Sequence, residues 1–583
     1  MIQPFSDIAF WRPLLAPFRW HIVLLLACQL GQAVASLLLP WLSADLIDNG
    51  ILRNDGAAIW LEAGLMLLAV LVQVALGALV AWLGARVALG FGAELRSRVY
   101  AHVQQLSLAE LRTLGTPSLI TRTTNDVQQL QSMLAMVLTM VAMAPIMGLG
   151  AVVMALRLDV PLSMVLLAAV PVLGLVVGLI VGRSLPLFAR MQMQIDQVNL
   201  VLREQISGVR TIRAFVRDAA ERARFGAVND GLTDTATRVG RLMALNMPAA
   251  MAVMQLTSVA MVWFGAYRIA AGAMQAGGLV AFISYIAQVL ISVMIASMLF
   301  AFAPRALVSA RRVREVLQTR PSVAEPRQPR EPEAGALGTV EFRNVSFAYP
   351  GAAAPVLQGV SFRLEPGQTL AVIGPTGAGK STIVNLVARF FDVTAGQVLV
   401  NGVDVREQRL ERLWSSIGLV PQESYLFSGT VEQNLRYGRP EASDDALWQA
   451  LGVAQARDFV AELPEGLAAP VAQGGDNFSG GQRQRLTIAR ALVRQPAIYL
   501  FDDSFSALDY VTDARLRHAL AAETGRASSL VVGQRVSSLR HADCILVIDK
   551  GSVIGWGTHD ELLHTCAAYR EIVASQDLLE DAA

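Results

Sequence analysis

Six mostly apolar stretches constrain this chain more than anything else in it: 20–44, 60–85, 132–156, 160–182, 246–267 and 277–303. Each suffices to cross a bilayer's hydrocarbon core as a helix, which takes about 20 residues. A helix satisfies all of its own backbone polar groups there, which an open loop cannot do. Of the 583 residues, 54% are hydrophobic and 16% charged, where soluble domains carry about 25% charged. Residues 1–19 mix apolar groups with Asp7, Arg12, Arg19 and prolines. They read as an interfacial segment leading into the first span, not as a cleaved signal. The net charge of +1 offers no field for a nucleic-acid partner. The cysteines, Cys28, Cys544 and Cys566, stand far from any metal-ligand spacing.

Beyond 303 the long apolar runs stop. Residues 319–338 are rich in proline, glutamate, glycine and alanine and suit a linker. From 339 short β-like runs alternate with helical ones, the pattern of an α/β domain with a mostly parallel sheet. The expected layout is an all-α six-helix transmembrane domain over 1–318, the linker, and an α/β domain over 339–583. Charge sets the orientation. The 91–130 connection carries Arg96, Arg98, Arg112 and Arg122, and the 183–241 connection ten arginines, while the others carry one each (Arg53, Arg157, Arg268). Positive residues favour the cytoplasmic side. The two long connections, both termini and the α/β domain are therefore expected inside, in a bacterial inner (plasma) membrane. Both connections are too long for turns and read as cytoplasmic extensions of spans 2 to 5. Their tips, Leu106–Leu114 and Ile212–Asp218, are candidates to dock on the α/β domain.

Residues 370–382, LAVIGPTGAGKST, run from an apolar strand through Gly374, Pro375, Thr376, Gly377, Ala378 and Gly379 to Lys380, Ser381 and Thr382 at the start of a helical pattern. This is a P-loop: its backbone N–H groups and the helix N-terminus close on phosphate oxygens. The chain holds 48 basic residues, of which only Lys380 and Lys550 are lysines. A lysine kept in that background suits a compact point charge on the β/γ-phosphates, a role a planar guanidinium does not mimic. Ser381 is placed for Mg2+. In AIYLFDD (497–503) an apolar strand ends in Asp502, a second Mg2+ candidate.

Residues 478–485 read FSGGQRQR, and with them the chain resembles the ABC transporter superfamily. Ser479, Gly480, Gly481 and Gln482 match its LSGGQ signature. The resemblance implies further roles. Tyr349 matches the aromatic that stacks on adenine, Gln422 the Q-loop glutamine that senses Mg2+, and Ser506-Ala507-Leu508-Asp509 the D-loop. EQISGVRTIRAF (204–215) and GLVAFISY (278–285) resemble membrane-domain segments of the exporter-fold half-transporters. The resemblance implies ATP and Mg2+ as cofactors, membrane lipid around the spans, and two ATPase domains facing head to tail. Each ATP then lies between one domain's P-loop and the other's signature, so the chain must pair with a second half-transporter.

Three positions depart from the family. Asp503 stands where a catalytic glutamate follows the Mg2+ aspartate, with a carboxylate about 1.5 Å shorter in reach. Gln534 stands where a switch histidine faces the γ-phosphate, and an amide cannot become cationic. His541 reads as a surface residue. Ala472-Gln473-Gly474-Gly475 lacks the glutamate usual before the signature. Two changes around one ATP, beside a nearly intact signature, resemble the degenerate-site subunit of heterodimeric transporters; drift within a homodimer stays open.

The spans carry few ionisable groups: Glu62, Arg157, Asp159 and Arg268 sit near their ends, which leaves no proton relay. Met243, Met247, Met251, Met254 and Met261, with Met294 and Met298, suggest either plain packing or a soft cavity. The expected cargo is a hydrophobic or amphipathic small molecule: a drug, lipid or peptide. Import of a lipid-like or siderophore-like solute, or an ATP-gated or regulatory role, is the alternative. The spans exclude a soluble ABC ATPase.

Overall fold

The computed structural model describes residues 8–580 except 333, 334, 507 and 526. The side chains of 8, 9, 297–301, 304, 524 and 577–580 lie outside that description. The chain forms two units: one runs to Val103 and resumes over Pro117–Gln318, and the other takes Gln104–Thr116 and the chain from Thr319 onward.

The first unit is helical. A short helix α1 (Ile8–Leu15) precedes α2 (Arg19–Asp45) and the 48-residue α3 (Gly56–Val103). After the short α4 (Leu108–Leu114), which belongs to the second unit, a third run spans Thr116–Leu158. It comprises α5 (Thr116–Thr121), α6 (Val127–Met136) and α7 (Met143–Leu158), joined by π-turns. Then come α8 (Val160–Ser207), α9 (Val209–Ala214), α10 (Asp218–Ala244), α11 (Asn246–Ala270) and α12 (Ala276–Gln318). Among the described residues six helices are long and apolar enough to cross a membrane. The fold is a six-helix transmembrane unit with an α/β unit, and the chain is a multi-pass integral membrane protein. At 1.5 Å per residue α3 and α8 are each about 72 Å long, against about 30 Å of hydrocarbon. More than half of each must lie outside the bilayer core, which is why the connections between spans are so long.

The helices close on small and branched side chains: Leu37, Ala151, Ala155, Leu166, Leu173, Phe282 and Ile286 form one buried cluster, and Leu25, Val80, Leu83, Val87 and Leu138 another. Leu67, Leu71, Val74 and Trp60 of α3 face outward, as lipid contact requires. The π-turn at Val137–Val141 releases backbone carbonyls from their usual partners. Buried Gln29 answers one, its Nε2 donating to Leu138 O at 2.7 Å. Two of the span-end charges, Asp159 and Arg268, pair with each other. Asp159 caps α8, accepting from Leu162 N at 2.9 Å, and takes a 2.8 Å ion pair from Arg268; its side chain is 2% exposed. The methionines divide: Met261 is buried, Met247 and Met251 are exposed, and Met298 lies outside the described side chains.

The second unit holds β1 (Val340–Phe347), β2 (Leu357–Leu364), β3 (Thr369–Ile373), β4 (Ala395–Val400), β5 (Val403–Asp404) and β6 (Ile417–Val420). It continues through β7 (Gly429–Thr430), β8 (Pro470–Val471), β9 (Ile498–Asp502), β10 (Ser528–Val532), β11 (Cys544–Asp549) and β12 (Ser552–Gly557). The main sheet has the order β12-β11-β3-β10-β9-β6; an antiparallel sheet has the order β2-β1-β4-β5, and β7 pairs β8. β3, β6, β9, β10 and β11 run parallel. β9 and β10 are buried along their whole length, as continuous apolar strands with helices on both faces should be.

Segment 104–116 packs into this unit. Leu108 and Ala109 lie against its core, Ser107 Oγ accepts from Val323 N at 2.9 Å, and the Arg112 guanidinium stands 5.8 Å from the Phe391 ring. The other candidate tip, around α9, stays with the first unit, and there Phe215 is 74% and Val216 84% exposed. Lys550 and His541 are exposed, and all three cysteines are free.

Candidate nucleotide-binding site

β3 delivers the loop Gly374–Gly379 to the carboxyl edge of the parallel sheet, and α13 (Lys380–Val387) departs from it. At two glycines this loop tolerates no side chain. A Cβ on Gly374 would lie 2.1 Å from the Ile548 carbonyl oxygen. Gly379 has φ +100 in the left-handed region, and a Cβ there would meet Leu357 Cδ2 at 2.7 Å. The result is a backbone-lined cradle at a helix N-terminus. Lys380 folds back over it, Nζ donating to Gly374 O at 2.7 Å and Pro375 O at 2.9 Å. Burial pushes its pKa down, and the nearby Asp503 and Asp502 charges oppose that shift.

Behind the loop Ser381 Oγ donates to Asp502 Oδ1 at 2.7 Å. Asp502 ends β9, in register with Val532 of β10. Burial raises its pKa, against the Ser381 hydrogen bond. Asp503 follows at φ +48, a left-handed backbone that aspartate tolerates better than most residues. Burial raises its pKa too, opposed by Gln534, whose Nε2 donates to Asp503 Oδ2 at 3.0 Å. The Tyr349 hydroxyl lies 3.1 Å from Thr382 Oγ1, and its ring meets Phe391 edge-on with centroids 5.2 Å apart.

These groups share one cavity of about 390 Å³, lined by Tyr349, Thr376, Gly377, Gly379, Lys380, Ser381, Thr382, Gln422, Asp503 and Gln534, together with Val356 and Val532. Gly374, Pro375, Ala378 and Asp502 are not among its lining residues. Ser479, Gly480, Gly481 and Gln482 are not part of it. Ser479 instead caps the helix Gly480–Arg494, accepting from Gln482 N at 3.2 Å while its own N–H donates to Gln482 Oε1 at 2.9 Å. Phe478 is buried, 6.4 Å from Phe459 between ring centroids. In the loop before the signature, Gly475 N donates to Ala472 O at 2.8 Å. Ala507 of the D-loop lies outside the described residues; Asp509 there caps the next helix, accepting from Thr512 N at 2.9 Å. The cradle fits a polyphosphate, and the Ser381 hydroxyl beside the Asp502 carboxylate is the hard oxygen set that Mg2+ takes.

Two contacts escaped the linear reading. The Ser424 hydroxyl donates to Gln484 Oε1 and joins the Gln422 loop to the signature helix. Phe391 stands between Arg112 and Tyr349. Neither residue pair lies within one motif, so no sequence pattern announces it.

Six membrane-spanning helices fused to an α/β unit with a P-loop and a capped glycine-rich helix define a membrane transporter driven by a nucleotide. Residues 22–293 match the model of the ABC transporter transmembrane region and 357–506 that of the ABC transporter. An uncharacterised ABC transporter ATP-binding protein of Mycobacterium tuberculosis is 46% identical over 98% of both chains. A fatty acid ABC transporter ATP-binding/permease protein of Mycobacterium bovis is 34% identical over 82% of this chain and 75% of its own. A solved bacterial Atm1-family ABC exporter with ATP bound superposes with a TM-score of 0.78 at 26% identity, over 98% of this chain and 99% of that one. The chain belongs to the ABC transporter family.

Proposed function

We propose that this chain is one half of an ATP-driven pump for hydrophobic or amphipathic solutes. It binds ATP at a site impaired for hydrolysis and lends its signature, Ser479 to Gln482, to the competent site of a second, different half-transporter. The cradle and Lys380 hold the phosphates, and Tyr349 takes the base. Ser381, Asp502 and Gln422 would hold Mg2+, which would supply charge neutralisation at the phosphates.

The observation that carries this reading is the Asp503–Gln534 pair, in one cavity with Lys380 and 3.0 Å apart. An aspartate reaches about 1.5 Å less than a glutamate, a deficit large enough to spoil a geometry-limited proton transfer. Its Oδ2 is moreover engaged by an amide that cannot carry positive charge. The solute class is supported by spans without a proton relay and by relatives named for fatty acids and for multidrug efflux.

The test is Asp503→Glu combined with Gln534→His in the assembled complex. With the partner's own P-loop disabled, so that only this chain's site turns over, ATPase activity should rise about a hundredfold, the lower end of what a competent general base supplies. An unchanged rate counts against an impaired site.

A further inference from the structure

We propose that Gln576, on the C-terminal helix Ala567–Glu580, is a positioning residue for hydrolysis. It brackets the segment that carries Gln534. Its Nε2 donates to the Gln534 carbonyl at 2.7 Å, and its Oε1 accepts from the Val536 N–H, also at 2.7 Å. The two bonds fall on either side of Arg535. From the same backbone turn the Gln534 side chain reaches Asp503 Oδ2 at 3.0 Å. An unbroken run of hydrogen bonds therefore joins the C-terminal helix to the residue in the catalytic position.

The chemistry of the bracket is specific. It needs a donor toward one peptide carbonyl and an acceptor for a peptide N–H two residues on, both at the end of one flexible chain. A primary amide supplies both; a carboxylate lacks the donor and an ammonium lacks the acceptor. The Val536 N–H opens the short helix Val536–Leu539 and has no partner within it, so Gln576 also caps that helix. The anchor is firm. Tyr569 of the C-terminal helix is fully buried, and Ile572 and Val573 pack on the α/β core. Gly533 holds the near end of the segment, its N–H donating to Val372 O at 3.1 Å. Between these fixed points Arg535 donates to Leu508 O at 3.4 Å and Ser506 O at 3.3 Å, both within the D-loop. Freed from Gln576, the turn can swing Gln534 away from Asp503.

This inference rests on the reading that Asp503 and Gln534 face the terminal phosphate, and the experiment separates the two. ATPase kinetics are measured on the assembled full-length complex, with the partner's own P-loop disabled so that only this chain's site turns over, with and without Gln576→Ala, in the native chain and in the Asp503→Glu/Gln534→His chain. In the latter, Gln576→Ala should lower kcat about fivefold, the equivalent of the one hydrogen bond to the Gln534 carbonyl, with KM for ATP unchanged and the melting temperature slightly lowered by the lost cap. Gln576→Glu, which keeps the acceptor for Val536 and loses the donor, should fall between. If the double substitution brings no gain, the impaired-site reading has failed because the native pair already hydrolyses ATP. The same fivefold loss then belongs to the native chain. The bracket is overturned if kcat holds in both backgrounds. It is also overturned if KM shifts with kcat, which would mark plain loss of structure, or if Gln576→Ala adds an equal loss in a Gln534→Ala chain.

Discussion

Lys380 stands between two carbonyls, at 2.7 Å from Gly374 O and 2.9 Å from Pro375 O, a space shaped for an ammonium group. A guanidinium is planar and wider, so Lys380→Arg should weaken ATP binding about tenfold or more, measured by titration with a fluorescent ATP analogue. Asp502 and Asp503 show a cost of building such a site, since burial raises both carboxyls above their ordinary 3.8. On the acid side of 3.8 both folded and unfolded states are protonated and the cost is absent. As the pH rises, the unfolded chain ionises first, and the full destabilisation is present above the folded values. Asp502→Asn should therefore raise the melting temperature at neutral pH, lose that advantage in acid, and abolish Mg2+-dependent ATP binding. The P-loop was legible in the sequence because its loop, lysine and serine are consecutive. Gln576 was not: 42 residues separate it from Gln534, and a lone glutamine on an amphipathic helix carries no pattern.

The six spans were legible for a physical reason: the bilayer sets their length and apolarity without reference to any partner. What the sequence could not show is where their polar groups find partners. Asp159 looked like a span-end charge, yet it is both the cap of α8 and the buried mate of Arg268. Asp159→Ala removes a cap, a loss of about 1 kcal/mol, and leaves the partly exposed Arg268 without its ion-pair partner. The melting temperature in detergent should drop by several degrees, and Arg268→Ala should add little in that background. The π-turns of the third run were equally invisible, because Gln29 is set against Leu138 by packing between helices. Of the two candidate docking tips, α4 lies on the core of the α/β unit through Leu108 and Ala109. A charge there should separate the two activities: Leu108→Asp should abolish solute-stimulated ATPase and transport while ATP binding persists.

In the proposed head-to-tail pairing, two α/β units complete one site. The cavity here matches that requirement, holding the P-loop, Asp503 and Gln534 but none of Ser479 to Gln482. In sealed vesicles the account expects ATP-dependent accumulation of a lipid-like solute against its gradient; mere dissipation would favour an ATP-gated pore. On the proposed reading, division of labour between two unlike halves leaves the signature nearly intact while the catalytic pair changes. The most direct test is the mass of the intact complex, extracted mildly from its own membrane and weighed by native mass spectrometry. The account predicts one copy of this 62.7 kDa chain bound to one different half-transporter. A complex weighing twice this chain alone would contradict it, since both sites would then carry Asp503 and Gln534.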